Sequence, residues 1–133
     1  MIGADTNILL RLVLRDDPRQ LELVVARLRR AMSDREDVWI GPVVLAELVW
    51  TLARSLKVPR PETARMVRSL LDARPFVLFD DNVVERAIAM FEREPFGFSD
   101  AMILAMNEAA GCASTLTFDE DALKISHYVR PTD

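Results

Sequence analysis

The chain has 133 residues and a mass of 15.1 kDa, so we expect one domain that spans residues 1–133. Half of the residues are hydrophobic and 29% are charged, which is typical of a globular protein. The apolar runs are far shorter than the roughly 18 residues of a bilayer span, and the start of the chain lacks a basic leader segment. These features predict a soluble, cytoplasmic protein that does not bind membranes.

The single cysteine and the single histidine exclude two classes of site. Cys112 has no partner for an internal disulfide, and His127 alone does not supply a Cys/His zinc site. Because Cys112 follows Gly111 in an apolar stretch, we expect it to be a small buried side chain rather than a nucleophile.

The charges are distributed unevenly along the chain. Residues 1–74 contain 13 Lys and Arg and 10 Asp and Glu, a net charge of +3, whereas residues 75–133 contain 4 and 11, a net charge of −7. An acidic protein does not attract nucleic acid over a long range. Binding to a phosphate backbone would therefore need a local basic surface or a bound cation.

Apolar residues alternate along the chain between short runs and helical spacing. Strands are predicted at residues 2–4, 37–41, 76–79 and 113–116, and helices at residues 8–14, 16–32, 42–56, 61–73, 83–94 and 100–110. Pro18 and Pro42 mark the starts of the second and third helices. Residues 95–98 are predicted to form a loop, Ser99 to cap the sixth helix and Gly111 to end it. Strands separated by helices predict parallel pairing and an α/β fold.

Four acidic residues lie at or near the predicted strand ends, where ligands of open α/β sheets bind. Asp5 follows the first strand and Asp119 the fourth, while Asp100 opens the helix before the fourth strand. Glu47 lies inside the helix that follows the second strand. Singly, Asp5 and Asp100 are also typical helix-start acids, and Asp119 is a typical turn residue.

Glu47 has apolar neighbours at helical spacing, including Val43, Val44 and Trp50. We therefore expect it to lie on an apolar face, where a buried carboxylate needs a cationic partner. The alternative is that Glu47 lies at the edge of this face and reaches water.

A divalent cation shared by the four acids would neutralise their mutual repulsion. Oxygen ligands without His or Cys select hard ions, so the predicted cofactor is Mg²⁺ or Mn²⁺. Such an ion activates water and stabilises charge on a phosphate. Phosphodiester hydrolysis is therefore the predicted reaction.

The ordered set of acidic motifs resembles the PIN-domain family, and most closely its VapC-like ribonuclease toxins. The motifs are Asp5-Thr6-Asn7, Glu47 within Val44-Leu45-Ala46-Glu47-Leu48-Val49-Trp50, Phe98-Ser99-Asp100-Ala101 and Thr117-Phe118-Asp119. The resemblance covers nearly the whole chain and implies a three-layer α/β/α sandwich with a central parallel sheet. It also implies that Asp5, Glu47, Asp100 and Asp119 bind Mg²⁺ or Mn²⁺ and are the catalytic residues.

The resemblance implies further roles and partners. Thr6, Asn7 and Thr117 resemble residues that orient carboxylates or water around a metal site. Asp121 is an alternative to Asp119 as the fourth acid, and we favour Asp119 because it is nearer to the strand end. Family membership would also imply endonucleolytic cleavage of RNA, a cognate antitoxin that covers the active cleft, and a homodimer.

Two groups of cations are candidates for an RNA-binding surface beside the acids. Arg11 and Arg15, with Arg19, follow the first strand, and Arg54, Lys57 and Arg60 follow the Glu47 helix. The alternative is that these are ordinary surface charges of helices.

Apolar residues on the second and fourth helices have two interpretations. The set comprises Leu21, Leu28, Met66, Val67, Leu70 and Leu71. It is ordinary core material, or it leaves an apolar patch for a second copy of the chain or for an antitoxin helix.

Two other functions compete with the metal-dependent ribonuclease. An aspartyl-phosphate phosphotransfer domain would use Asp5 with Asp80 and Asp81, but Asn7 occupies the place of the second acid in the phosphatase pattern. A non-catalytic protein-binding module with a degenerate site is the second alternative, and it does not explain why four acids accompany one sheet edge.

Overall fold

The computed structural model describes residues 1–93 and 97–132. The chain divides into two compact units, Met1–Phe79 and Asp80–Asp133, which we call the N-terminal unit and the C-terminal unit. No helix of the described residues is long and apolar enough to cross a membrane.

The N-terminal unit has a parallel three-stranded sheet. Its elements in chain order are β1 (Ile2–Gly3), α1 (Thr6–Leu14), α2 (Pro18–Ser33), β2 (Val38–Ile40), α3 (Pro42–Trp50), a π-helical segment (Thr51–Ser55), α4 (Arg60–Leu71) and β3 (Phe76–Leu78). The strand order is β1-β2-β3, with Ile2 opposite Val38 and Val38 opposite Phe76. Leu9, Ile40 and Leu45 are fully buried in the core of this unit.

The predicted starts of α2 and α3 are confirmed. Asp17 precedes α2 and accepts a hydrogen bond from the Gln20 N–H at 3.0 Å, with Pro18 as the first helical residue. Gly41 precedes Pro42 at the start of α3. A Cβ atom at Gly41 would lie 2.8 Å from the Trp39 ring, so this position requires glycine while the ring lies over it.

The end of the third helix differs from the prediction. The α-helix stops at Trp50, and residues Thr51–Ser55 form a π-helical segment. The Leu56 N–H donates to the Thr51 carbonyl at 2.9 Å, which is the i to i+5 bond of a π-helix. Apolar spacing over five residues does not distinguish this wider turn from an α-helical turn.

The C-terminal unit pairs two helices and a two-stranded parallel sheet. Its elements are α5 (Asp81–Arg93), α6 (Phe98–Ala109), β4 (Thr115–Leu116), a 3₁₀ turn (Ala122–Lys124) and β5 (Tyr128–Val129). Ile88 and Leu104 are buried in this unit, and the Phe91 and Phe98 rings meet edge to face at 5.9 Å. Strand β5, which pairs Tyr128 with Thr115, is not predicted because two residues carry no periodic signal.

The predicted start of the sixth helix is wrong. The helix begins at Phe98 after Gly97, and Ser99 lies inside its first turn. Phe98 is buried against Phe91, so packing draws it into the helix rather than leaving it in a loop. Glu94, Pro95 and Phe96, which end the predicted fifth helix and begin that loop, lie outside the described residues.

The chain after α6 confirms one expectation and overturns another. Gly111 adopts a positive φ of 94° just beyond the helix, which is the predicted helix stop. Cys112 is exposed rather than buried. Its apolar neighbours in sequence follow the end of the helix and therefore do not lie on a packed helical face.

Candidate active site

One buried threonine joins two of the predicted acids in the N-terminal unit. Thr6, the first residue of α1, donates its hydroxyl hydrogen to Glu47 Oε2 at 2.7 Å. Its backbone N–H donates to Asp5 Oδ1, also at 2.7 Å. Asn7 is the next residue of α1 and is exposed. The structure therefore gives Asp5 and Glu47 a common hydrogen-bond donor in Thr6, although 41 residues separate Thr6 from Glu47 in the sequence.

Glu47 is exposed, contrary to the expectation that it is buried. It shares its face of α3 with Val43, which is 70% exposed, and Trp50, which is 60% exposed. Leu45 and Leu48 lie on the buried face. Because α3 is apolar on nearly all sides, the residue types around Glu47 did not indicate which face packs against the core.

Asp100 lies near two other acids of the C-terminal unit. It is in the first turn of α6 and is partly buried. Burial raises the pKa of the Asp100 carboxyl, and the negative charges of Asp119 and Asp121 raise this pKa further. The ionised carboxylates therefore repel each other in the absence of a cation.

Hydrogen bonds within the loop after β4 hold Asp119 in place. The Asp119 N–H donates to Thr117 Oγ1 at 3.0 Å. Asp119 Oδ1 accepts from the N–H groups of Asp121 at 2.8 Å and Ala122 at 3.4 Å. Asp121 is exposed, and its carboxylate forms an ion pair with Lys124 at 3.1 Å. The backbone thus orients Asp119, whereas the carboxylate of Asp121 already has a cationic partner.

Tyr128 is a residue of this site that the sequence did not reveal. It lies in β5, is buried, and donates its hydroxyl hydrogen to the backbone oxygen of Asp100 at 2.7 Å. Burial, and then the charges of Asp100 and Asp119, raise the pKa of Tyr128 to about 12. The hydroxyl therefore stays protonated and ties β5 to the first turn of α6.

The donor atoms present fit a hard divalent cation. Among residues 1–93 and 97–132, no group of three or more His, Cys, Asp or Glu side chains forms a metal site by itself. Mg²⁺, however, commonly binds one or two carboxylates and completes its coordination with water and substrate phosphate. Asp100 and Asp119 would supply oxygen ligands, and a cation beside them would offset the burial and the repulsion that raise the pKa of Asp100.

The two arginines predicted to bind RNA differ in their surroundings. Arg11 forms an ion pair with Asp16 at 3.0 Å, and its Nε atom is buried without a hydrogen-bond partner among the described residues. Arg15 is exposed and ends α1 in the left-handed conformation, with a φ of 51°. Arg15 is thus the more accessible of the two to a bound nucleic acid.

Asp80, which the phosphotransfer alternative would use, has a structural role. Its Oδ1 atom accepts a hydrogen bond from the Val83 N–H at 3.1 Å in the first turn of α5. Asp5 likewise accepts from the first N–H of α1. Both acids therefore cap a helix in their own unit, and for Asp80 this hydrogen bond is a role that does not require phosphotransfer.

The comparisons with known proteins identify the family. No curated protein matches the chain. The family model of the PIN domain matches residues 3–128, which include every acidic residue discussed above. PIN domains are generally nucleases, which act on nucleic acid with divalent metal ions, and their three-layer α/β/α architecture is the predicted fold. The chain therefore belongs to the PIN-domain family.

Proposed function

We propose that the protein is a metal-dependent endoribonuclease and the toxin of a toxin–antitoxin pair. The observation that supports this most is the position of Asp100 within a PIN domain. Its carboxyl is partly buried and has a raised pKa, and the charges of two further acids act on it, so a cation would stabilise its ionised form. The activity we propose needs such a cation beside the scissile phosphate.

We assign the predicted residues to two groups of roles, with residues 1–133 working as one PIN-like domain. Asp5, Glu47, Asp100 and Asp119 are the metal-binding and catalytic residues, and Thr6, Asn7, Thr117 and Asp121 orient them. When bound, Mg²⁺ or Mn²⁺ lowers the pKa of water and stabilises the charge on the phosphate.

The contacts of these residues support the assignments. Thr6 holds one oxygen of Glu47 by its hydroxyl and one of Asp5 by its N–H. Thr117 Oγ1 accepts a hydrogen bond from the Asp119 backbone N–H, which supports our choice of Asp119 over Asp121 as the fourth ligand. The ion pair of Asp121 with Lys124 leaves it the weaker candidate.

The test is cleavage of a mixed RNA pool with Mg²⁺, with Mn²⁺ and with a chelator. We compare the wild type with Asp5→Asn/Asp100→Asn and with Asp72→Asn, an exposed aspartate at the end of α4 that serves as the matched control. We expect metal-dependent cutting by the wild type and the control and none by the double variant. Folding is checked by circular dichroism.

Other outcomes of this test favour the alternatives. Cleavage by a folded double variant contradicts the proposed site. A folded wild type that cuts nothing with either metal favours the protein-binding module, and calorimetric titration with Mg²⁺ then establishes whether the carboxylates bind metal at all.

The proposed partners are RNA, a cognate antitoxin and a second copy of the chain, in the cytoplasm. A cleft of about 710 Å³ in the N-terminal unit supports a partner surface. Its apolar lining includes Leu28, Met66, Leu70 and Phe76, and the exposed Arg65 is also part of it. Light scattering should give a mass in solution above 15.1 kDa, and a stable monomer at micromolar concentration contradicts the homodimer.

A further inference from the structure

An exposed stripe runs along α3 and the π-helical segment beside Glu47. It consists of Val43, Glu47, Trp50 and Arg54, which are spaced by four, three and four residues and are all exposed. This spacing places the four side chains on one face of the helical stretch. We call these four residues the α3 stripe. An exposed tryptophan one turn from a proposed catalytic carboxylate has no role in the core of the protein.

The end of the α3 stripe is locally basic. Residues 48–61 contain three cations, Arg54, Lys57 and Arg60, and no acid, within a chain whose net charge is −4. Arg54 and Lys57 are both exposed. Arg60 is only partly exposed and already has an interaction of its own, so we assign no phosphate contact to it. The exposed Arg54 and Lys57 therefore supply the local basic surface that an acidic protein needs in order to attract phosphates.

The π-helical segment shapes the basic end of the stripe. Beyond the Leu56 to Thr51 bond, the Val58 N–H donates to the Leu52 carbonyl at 2.8 Å. Between them, Lys57 adopts the left-handed conformation with a φ of 55°. Backbone hydrogen bonds therefore fix the conformation of the segment that contains Arg54 and Lys57. This segment follows α3, which begins near Trp39.

We propose that single-stranded RNA binds along the α3 stripe, with a base stacked on Trp50 and the neighbouring phosphates held by Arg54 and Lys57. The inference rests on the proposed nuclease function and names the surface that positions the strand. Aromatic side chains that alternate with cations are the usual platform for single strands, because every base has a face that can stack. Glu47 and Trp50 are three residues apart within α3, roughly 4.5 Å along the helix axis.

This surface is better suited to phosphates than Arg11 is. Arg11 is already paired with Asp16, so RNA binding there would have to break an ion pair. Arg54 and Lys57 have no acidic neighbour in sequence between residues 48 and 61. The exposed ring of Trp50 also favours a planar ligand over a simple anion.

The test measures the affinity of a fluorescein-labelled single-stranded oligouridine RNA by fluorescence anisotropy. Chelator is present, so that binding is measured without cleavage. We expect Trp50→Ala to weaken binding about tenfold and Trp50→Phe, which keeps a ring, to weaken it much less. Arg54→Ala/Lys57→Ala should lower the slope of log affinity against log salt by about 1.4, since each phosphate contact contributes about 0.7 on a single strand. Arg29→Ala, an exposed arginine of α2, is the matched control and should change neither quantity.

A second measurement reports on Trp50 directly. The chain has two tryptophans, so in a Trp39→Phe variant the remaining fluorescence comes from Trp50. Stacking of a base should quench this fluorescence as RNA is added, an effect that a merely structural residue would not show.

The outcomes separate this inference from the proposed function. Wild type that binds no RNA and cuts none contradicts both. If the wild type cuts RNA and Trp50→Ala binds and cuts RNA equally well, only the proposal that RNA binds along the α3 stripe is contradicted. If Trp50→Ala leaves RNA affinity unchanged and instead lowers the mass in solution, the stripe is a contact between copies of the chain and the inference is wrong.

Discussion

The two units of the chain hold their acidic residues in different ways. In the N-terminal unit, which carries a net charge of +3, Asp5 and Glu47 each accept a hydrogen bond from Thr6. In the C-terminal unit, with a net charge of −7, the carboxyl of Asp100 is influenced mainly by burial and by other acids. The hydrogen bonds of Thr6 orient Asp5 and Glu47 without a metal. The repulsion around Asp100, in contrast, would be reduced by a bound metal ion.

This difference indicates where a cation contributes most. Hydrogen bonds from a hydroxyl and an N–H stabilise ionised carboxylates and fix their oxygens. Repulsion among Asp100, Asp119 and Asp121 does the opposite and leaves a deficit of positive charge. We therefore expect variants of the C-terminal acids to change metal binding, and variants around Thr6 to change the position of the carboxylates.

The largest effect is expected from Asp100→Asn. Loss of a metal-binding carboxylate should reduce cleavage on the order of a hundredfold or more, because the metal stabilises the transition state by several kcal/mol. Mg²⁺ should raise the melting temperature of the wild type but raise that of the variant much less. Calorimetry with and without Mg²⁺ measures this, and an equal metal-induced shift in both proteins contradicts the role of Asp100.

In the absence of metal, the difference in stability between the wild type and Asp100→Asn should also depend on pH. The pKa of Asp100 is raised in the folded chain, so the group favours folding when it is protonated at acidic pH, and this contribution disappears as the pH rises and the carboxyl ionises. At neutral pH, Asp100→Asn should therefore be no less stable than the wild type. Urea unfolding from acidic to neutral pH measures the difference in the free energy of unfolding between the two proteins. A large loss of stability of Asp100→Asn at neutral pH would show that Asp100 is structural.

The second effect concerns the hydroxyl of Thr6. Thr6→Val removes the hydrogen bond to Glu47 while it keeps the shape of the side chain. We expect about tenfold slower cleavage, because Glu47 loses its orientation, and about 1 kcal/mol lower stability. Thr6→Ser keeps the hydroxyl and should retain most of the activity. Equal activity of the Val and Ser variants would contradict the claim that the Thr6 hydroxyl orients Glu47.

The third effect concerns Tyr128, which anchors the backbone of Asp100. Tyr128→Phe should lower stability by about 1 kcal/mol, because the Asp100 carbonyl loses its buried donor. The pKa of Tyr128 is raised from 10.0 to about 12 in the folded chain. The wild type should therefore lose stability as the pH rises from 10 through 12, and the Phe variant should lose less. Parallel pH profiles for the two proteins would contradict this role.

The smallest effect is expected at the exposed ion pair between α5 and α6. Arg86 donates two hydrogen bonds to Glu108, at 2.6 Å and 3.1 Å. The hydrogen bond lowers the pKa of Glu108, so the pair stabilises the fold above the ordinary pKa of glutamate and this contribution is lost as the pH falls. Glu108→Gln should cost less than about 1 kcal/mol, since the pair is solvent-exposed. Urea unfolding at neutral pH measures this cost, and a much larger value would mean that the C-terminal unit depends on paired charges after all.

Much of the local structure could be predicted because its causes are local. Pro18 and Pro42 open helices and Gly111 follows the end of one, since backbone preference and missing N–H donors act within a few residues. The α/β class followed from alternating strands and helices. The predicted site residues and their metal, by contrast, remain proposals that the experiments above address.

The errors arose where packing decided the outcome. Glu47 is exposed because the core takes the opposite face of an almost uniformly apolar helix. The sixth helix starts early because Phe98 packs on Phe91. The strand containing Tyr128 has only two residues and exists by pairing with Thr115.

By itself, the sequence determined the order of the six helices and of the first four strands, several helix ends, and the four acids that follow the motifs of a PIN domain. Hydrophobic periodicity, capping and motif spacing are properties of neighbouring residues. Only the tertiary structure decided which of those acids have partners. Thr6 reaches Glu47 across 41 residues and Tyr128 reaches Asp100 across 28. Such contacts depend on how helices and strands pack, and no local pattern in the chain encodes them.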